Sequence, residues 1–302
     1  MTDLTQTPDS ATASTKTDKS AILCRGVDNA APANPPSLPH WARLPINRCN
    51  LPAVILGSLT FQQHPTELLL DGVAELHADL FRRLDAIDDK TQRAQSFGDY
   101  MTVRFRLEHL DEAGLRDASQ PRANANWIRF LRGWSFDANS REGAALKGWV
   151  ESRFGLLPRF HGEPLRDFSG PAYRRYQEMR ADGLYGTNAL EGQFDLVYAY
   201  SQYEFWRDTA HAGSITLYRG SNRIDEHERL SGSGRRQAVL LNNLTSFTSS
   251  RERAGEFGDY ILEAQVPTAK IFFHCRVLRG ILGGEDEYLV IGGAYAVNVG
   301  TL

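Results

Sequence analysis

The 302-residue sequence predicts an α+β fold in which a mainly helical region precedes an antiparallel, β-rich region. Between about residues 66 and 206, apolar side chains recur at steps of three and four, the spacing of a helix with one buried face. After about residue 213, short apolar runs bounded by turn residues replace that pattern, which is typical of strands. Helices followed by strands favour an α+β arrangement over alternating βαβ units.

Residues 1–45 are expected to form a disordered leader. Thr, Ser, Ala and Asp dominate its first part, and Pro32, Pro35, Pro36 and Pro39 follow. Such a composition buries too little apolar surface to offset the entropy lost on ordering. The segment also lacks the basic start and apolar stretch of a secretory signal.

The region 46–210 is predicted to contain several packed helices. Two apolar stripes have helical spacing. They comprise Val73, Leu76, Leu80 and Leu84, and Leu190, Phe194, Val197 and Tyr198. Glycines and Pro158 interrupt the middle of this region, so its helices are expected to be short and joined by tight turns.

Apolar runs in the region 211–302 predict the strands of an antiparallel sheet or sandwich. They span 215–218, 240–249, 260–266, 271–278, 288–291 and 294–299. Residues 251–257 are expected to add one helical turn, packed through Ala254 and Phe257. The glycine-rich segment 232–236 is expected to be an exposed flexible loop.

Composition excludes several functional classes. A net charge of −3 and a pI near 6.3 give no general attraction for nucleic acid. No apolar run is long enough to span a membrane. The three cysteines are far apart and have no zinc or redox spacing, so we expect a reduced, cytoplasmic location.

Several common catalytic motifs are absent from the sequence. It contains no G-x-x-x-x-G-K-[ST] phosphate loop, no H-E-x-x-H zinc motif and no complete dinucleotide fingerprint. It also has no G-x-S-x-G nucleophile motif. Kinase, zinc protease, Rossmann and serine hydrolase activities therefore lose their main support, and no metal cofactor is predicted.

Three short segments carry the candidate chemistry. They are 217–220 (L-Y-R-G), 246–250 (S-F-T-S-S) and 285–287 (E-D-E), each next to a predicted strand. Residues i and i+2 of a strand lie on one side, about 6.5 to 7 Å apart, so Glu285 and Glu287 could face one substrate. The alternative is that E-D-E is a solvated turn, the usual place for a short charge run.

This order of arginine, hydroxyl and E-x-E motifs resembles the R-S-E class of mono-ADP-ribosyltransferases. Segments 56–62, 81–89 and 148–160 narrow the resemblance to the dinitrogenase reductase ADP-ribosyltransferases, over about residues 50–302. The resemblance implies a split antiparallel β-sandwich as the NAD-binding catalytic core, 211–302. It also implies that 46–210 recognises the target protein, and the two regions could form one continuous domain.

The resemblance assigns two catalytic carboxylates. Glu287 would hold the ribose 2′-hydroxyl of NAD and stabilise the positive charge that develops on the ribose. Glu285 would orient the incoming arginine guanidinium and help to remove its proton.

The resemblance also assigns NAD contacts to three further residues. Arg219 would brace the NAD phosphates, and the Gly220 backbone would allow close approach of the nicotinamide amide. Ser249 would hydrogen-bond near Glu287. The alternatives are a salt-bridged Arg219 and a Ser249 hydroxyl that satisfies a strand end. The sequence continues Ser249-Ser250-Arg251 where many transferases have Ser-Thr-Ser.

The expected activity is transfer of ADP-ribose from NAD to an arginine of dinitrogenase reductase, which would reversibly stop nitrogen fixation. A PII-type nitrogen signalling protein is a second expected partner. Two alternatives remain open at this point. In an NAD glycohydrolase, water would replace arginine, and a non-catalytic NAD-sensing or protein-binding module would retain only the fold.

Overall fold

The computed structural model describes residues 36–107, 126–184, 189–208, 213–223, 227–278 and 286–301. The helices in these ranges are α1 (Ala53–Leu56), α2 (Leu59–Gln63), α3 (Val73–Leu76), α4 (Ala78–Asp85), α5 (Lys90–Phe105), α6 (Trp127–Phe136), α7 (Arg141–Phe154), α8 (Pro171–Leu184), α9 (Ala189–Asp208) and α10 (Arg251–Gly255). The strands are β1 (Phe160–His161), β2 (Glu163–Pro164), β3 (Ser214–Ser221), β4 (Glu228–Ser233), β5 (Arg236–Thr248), β6 (Tyr260–Pro267), β7 (Ile271–His274) and β8 (Glu287–Thr301). The predicted α+β class is confirmed.

The predicted leader, 1–45, lies outside the described residues up to residue 35. From residue 36 onward the chain packs against the core. A 3₁₀ turn spans His40–Ala42, and Leu38 and Ala42 are both 2% exposed.

Side-chain caps fix the starts of the longer helices. Asp89 accepts a hydrogen bond from the Gln92 backbone N–H at the start of α5, and Ser140 does the same for Gly143 at the start of α7. Helix α7 ends at Gly155, whose φ of +68° is favourable for glycine.

One predicted apolar stripe is divided between two helices. Helix α3 ends at Leu76, and His77 separates it from α4. Because the helical phase breaks there, Leu76 is 62% exposed, whereas Leu80 and Leu84 are buried. The second stripe lies on α9 as predicted, and all four of its residues are buried.

The large sheet has the order β4-β5-β3-β6-β8-β7, with a further pairing of β5 with β8. All its pairings are antiparallel. Strands β5 and β8 pair from Arg236↔Asn298 to Thr248↔Glu287, with a bulge between Leu241 and Leu244. Strand β3 meets β5 at one residue pair, Tyr218↔Thr248, before it pairs along its length with β6.

Three strand predictions need correction. The runs 288–291 and 294–299 are one strand, β8, because pairing with β5 continues on both sides of Gly292, and Gly293 pairs with Leu241 at a φ of +112° that glycine tolerates. The run 271–278 is a strand only to His274 and then a 3₁₀ turn, Cys275–Leu278. The segment 232–236 is not a free loop, since it forms the hairpin that joins β4 to β5.

The helices and the sheet share one apolar core. Trp149 of α7 and Phe194 and Tyr198 of α9 pack with Phe272 of β7, and the Trp149 and Phe272 ring centroids are 4.6 Å apart. The Tyr198 hydroxyl donates to the Ala269 carbonyl at 2.8 Å. This packing places α6 and α7 against the sheet. No helix within the described ranges has both the length and the apolar character needed to cross a membrane.

Candidate active site

The three sequence motifs meet at one residue of the sheet. Thr248, near the end of β5, pairs with Tyr218 of β3 on one side and with Glu287 of β8 on the other. Arg219 is therefore the residue after Tyr218, the β3 partner of Thr248. Glu287 is the β8 partner of Thr248. The fold brings arginine, hydroxyl and carboxylate motifs together, as their positions next to strands predicted.

The carboxylate of Glu287 accepts a hydrogen bond at each oxygen. The Ser246 hydroxyl donates to Oε1 at 2.6 Å, and the Ser135 hydroxyl donates to Oε2 at 2.8 Å. Ser246 lies on β5, whereas Ser135 lies on α6 of the helical region. Two hydroxyls from separate parts of the fold thus fix the plane of this half-buried carboxylate.

Ser246 is itself held from two sides. The Trp134 indole N–H donates to its hydroxyl oxygen at 2.9 Å, and Arg219 Nη1 donates to its backbone carbonyl at 3.0 Å. Ser246 lies inside the middle motif, but neither it nor Trp134 nor Ser135 was predicted as a site residue. Strand alternation carries the signal for Ser246, which lies two residues before Thr248, the residue paired with Glu287.

Ser249 contacts the neighbouring acid instead. Its backbone N–H donates to Asp286 Oδ2 at 2.9 Å, and its hydroxyl donates to the same oxygen. Ser249 and Asp286 both lie just beyond the paired ends of β5 and β8, and the Thr248 hydroxyl also donates to Asp286 Oδ2, at 3.2 Å. The hydroxyls bonded to Glu287 are those of Ser246 and Ser135, and the contacts predicted for Ser249, near Glu287 and with NAD, stay predictions.

Asp286 is the centre of a polar cluster at the start of β8. Its Oδ1 lies 3.3 Å from His274 Nε2 and 3.4 Å from Arg276 Nη2. Burial alone would raise the pKa of Asp286, but hydrogen bonds from Ser249 and His274 hold that pKa below its usual value. The cluster keeps Asp286 ionised and anchors the residue beside Glu287.

Burial lowers the pKa of His274 to about 4, against the opposing effect of Asp286. Its imidazole stacks on Tyr288 with a centroid distance of 3.7 Å. The His274 ring is therefore neutral at pH 7.

Glu285, the other predicted catalytic acid, lies outside the described residues, so its role stays a prediction.

Gly220 is enclosed by helix α10. A Cβ at this position would lie 1.9 Å from the Ala254 carbonyl oxygen and 3.0 Å from Phe257 Cβ. Close packing of α10 against β3 thus accounts for the glycine, and its predicted contact with nicotinamide stays a prediction. Ala254 is buried as expected, whereas Phe257 is 59% exposed.

A cavity of about 570 Å³ adjoins the Glu287 network. Trp134 and Ser246 line it, together with four arginines. These are Arg159, Arg166, Arg219 and Arg223. Among the described lining residues, Glu228 is the one carboxylate. The size suits a small-molecule ligand, and the excess of guanidinium groups suits an anion.

His227 adds no positive charge to this cavity near neutral pH. Burial, followed by the charge of Arg219, lowers the pKa of His227 to about 3. Its Nε2 accepts a long hydrogen bond of 3.4 Å from Arg219 Nε. Within the described ranges, no group of three or more His, Cys, Asp or Glu side chains is arranged to hold a metal ion.

Comparison with known proteins agrees with this geometry. A family model described as dinitrogenase reductase ADP-ribosyltransferase matches residues 46–299. The chain belongs to this family. The resemblance seen in the sequence is thereby confirmed, and the match covers the helical region as well as the sheet.

A curated relative from Rhodospirillum rubrum is 40% identical over 261 residues, which is 85% of this chain and 95% of the relative. That relative is named NAD(+)--dinitrogen-reductase ADP-D-ribosyltransferase. No solved structure matches the chain.

Proposed function

We propose that this protein transfers ADP-ribose from NAD to an arginine of dinitrogenase reductase. One observation carries the proposal: a carboxylate, Glu287, is held at both oxygens by hydroxyls beside an arginine-lined cavity. Family membership and the named activity of the R. rubrum relative support the same reaction.

The reaction exchanges one bond at C1 of the nicotinamide ribose. The bond from C1 to the pyridinium nitrogen breaks, its electron pair leaves with nicotinamide, and positive charge develops on the ribose. A guanidinium nitrogen of the target then bonds to C1 and loses one proton. Glu287, near the ribose, stabilises the cationic transition state.

The guanidinium must lose its proton during attack because its pKa in water is above about 12. Glu285, two residues before Glu287 in the E-x-E pair, orients the guanidinium and accepts the proton. This assignment rests on the family motif. It distinguishes protein modification from simple hydrolysis, since water does not need Glu285 as a guide.

The arginine-lined cavity supports binding of the NAD pyrophosphate. Arg219 connects this cavity to the catalytic strand, because it lines the cavity and donates to the Ser246 carbonyl. We assign it the role of bracing both the phosphates and β5. NAD is a substrate in this scheme, and the chemistry calls for no metal.

Other parts of the molecule fit the proposal less directly. The path of pairings β5–β3–β6–β8 supports the split antiparallel β-sandwich expected for the transferases. We assign target recognition to the helical region, 46–210, and NAD binding to 211–302. Regulation by a PII-type protein and a cytoplasmic location are proposals from the family resemblance alone.

The modification would place a bulky, doubly charged group on dinitrogenase reductase. Such a group at a protein interface prevents docking by steric exclusion and uncompensated charge. The expected result is reversible arrest of nitrogen fixation.

The test is transfer of label from adenylate-labelled NAD to purified dinitrogenase reductase, with free nicotinamide measured in parallel. Wild type should label the target. Glu287→Gln should lower both labelling and nicotinamide release about 10²- to 10³-fold, and Glu285→Gln should release nicotinamide without labelling. Nicotinamide release without any labelling by the wild type would favour the glycohydrolase. NAD binding without release would favour the non-catalytic module.

A further inference from the structure

Helix α6 belongs to the region assigned to target recognition, yet its last turn reaches the catalytic carboxylate. Asn126 caps its start by accepting from the Ile128 backbone N–H. Phe130, Leu131 and Trp134 are buried, at 3–4% exposure, so the helix is fixed in the core. The side chains of Trp134 and Ser135 extend from this fixed helix to the sheet.

The hydrogen bonds define where each hydroxyl proton points. Trp134 donates to Ser246 Oγ, so the Ser246 proton is free to donate to Glu287 Oε1. Ser135 has two acceptors, the Leu131 carbonyl at 3.2 Å and Glu287 Oε2 at 2.8 Å. The shorter contact, to a carboxylate, is the stronger.

We propose that Trp134 and Ser135 are positioning residues of the transferase, through which the helical region completes the active site. The inference rests on the proposed function of Glu287. Trp134 acts on Oε1 through Ser246, and Ser135 acts on Oε2 directly. The carboxylate is thus held in place before NAD binds, which is the arrangement that stabilises a developing charge best.

The chain provides matched controls. Trp127 lies on the same helix and is equally buried, but its indole N–H has no hydrogen-bond partner among the described residues. The hydroxyl of Ser201, on α9, is likewise buried and without such a partner. Trp127→Phe and Ser201→Ala therefore make the same chemical changes outside the network.

The kinetic test measures nicotinamide release from NAD in the presence of dinitrogenase reductase, the proposed target. Trp134→Phe and Ser135→Ala should each lower kcat roughly 10- to 100-fold, the scale expected for a misplaced catalytic group, with the KM for NAD nearly unchanged. Ser135→Thr should restore much of the loss, because it keeps the hydroxyl. Values of kcat within twofold of the two controls would overturn the proposal.

A second measurement does not depend on activity. The indole N–H resonance of Trp134, assigned through Trp134→Phe, should shift in Glu287→Gln and in Ser246→Ala, while that of Trp127 stays in place. An unmoved Trp134 signal would disprove the network. Inactivity of the wild type would refute the proposed function separately, since the resonances still report the hydrogen bonds.

Discussion

Two carboxylates, Glu204 in the helical region and Glu287 at the sheet, are held in opposite ways. Glu204 is fully buried and accepts two hydrogen bonds from Arg93, at 2.6 and 2.8 Å. Arg93 also donates to the carbonyls of Ile87 and Asp88. Both oxygens of Glu287 accept instead from neutral serine hydroxyls.

The difference separates a carboxylate that is paired for structure, Glu204, from the carboxylate proposed to be catalytic, Glu287. The hydrogen bonds that Arg93 donates to Glu204 raise the pKa of Arg93 above its ordinary value, and the two charges of the pair are matched. Hydroxyls fix the direction of a carboxylate without cancelling its charge. In the proposed reaction, this arrangement leaves Glu287 oriented toward the cation that forms on the ribose, with no bonded guanidinium among the hydrogen bonds described above.

The largest expected effect comes from breaking the structural pair. Glu204→Gln would leave the Arg93 guanidinium buried without its counter-charge, which typically costs about 3–5 kcal/mol in the free energy of unfolding. Denaturant titration of the purified variant measures this cost. A loss below about 1 kcal/mol would show that the two carboxylates do not differ as described.

Glu287→Gln should show the reverse pattern. The amide keeps the size of the side chain but not its charge, so we expect NAD cleavage to fall about 10²- to 10³-fold, or roughly 3–4 kcal/mol in transition-state energy. The free energy of unfolding should change by less than about 1 kcal/mol, as for most substitutions outside the core. Steady-state nicotinamide release measures the loss of NAD cleavage, and denaturant titration of the same preparation measures the change in the free energy of unfolding.

The cluster beside Glu287 should make the sheet sensitive to acid. The folded-state pKa of His274 is about 4, below its ordinary value near 6.5, so the folded protein binds fewer protons between these values. Its contribution to stability is full above pH 6.5 and is lost as the pH falls toward 4. At pH 5 the loss is about 2 kcal/mol.

His274→Phe keeps an aromatic ring against Tyr288 and removes the titrating group. Its unfolding free energy should therefore fall less between pH 7 and pH 5 than that of the wild type. His161 and His227, whose pKa values are also lowered by burial, remain in both proteins and cancel in the difference. If the free energy of unfolding fell equally between pH 7 and pH 5 in both proteins, the acid sensitivity would not come from His274.

The smallest effect is expected at the surface of α6. Arg129 forms an ion pair of 3.3 Å with Glu142 of α7, and its side chain is 47% exposed. Arg129→Gln should change stability by less than about 1 kcal/mol, because solvent screens such pairs. It should also leave kcat unchanged, since the core holds α6. A marked loss of activity would mean that this surface pair positions Ser135.

The sequence predicted the parts of the site that follow from strand pairing. Arg219 and Glu287 adjoin predicted strands, and antiparallel pairing brings them to Thr248. Ser246 could have been found by the same alternation of faces. Ser246 lies within β5 and bonds Glu287, whereas Ser249 lies just beyond the end of β5 and bonds Asp286.

The remaining parts of the site depend on packing between distant segments. Nothing in the local pattern around Trp134 and Ser135 indicates that α6 docks against β5 and β8. Likewise, Gly292 and Gly293 suggested a break between two strands, but long-range pairing with β5 keeps β8 continuous. In the first case the local pattern does not encode the docking partner of the helix, and in the second the pairing with β5 overrides the local signal of the glycines.

The hydrogen bond between Ser135 and Glu287 spans 152 residues of the chain. During synthesis on the ribosome, the carboxylate emerges long after the helix that orients it, and contacts of such separation form late in folding. Under the proposed function, a nascent or partly folded chain therefore lacks an oriented Glu287 and does not cleave NAD. The fold thereby ties consumption of NAD to completion of the protein.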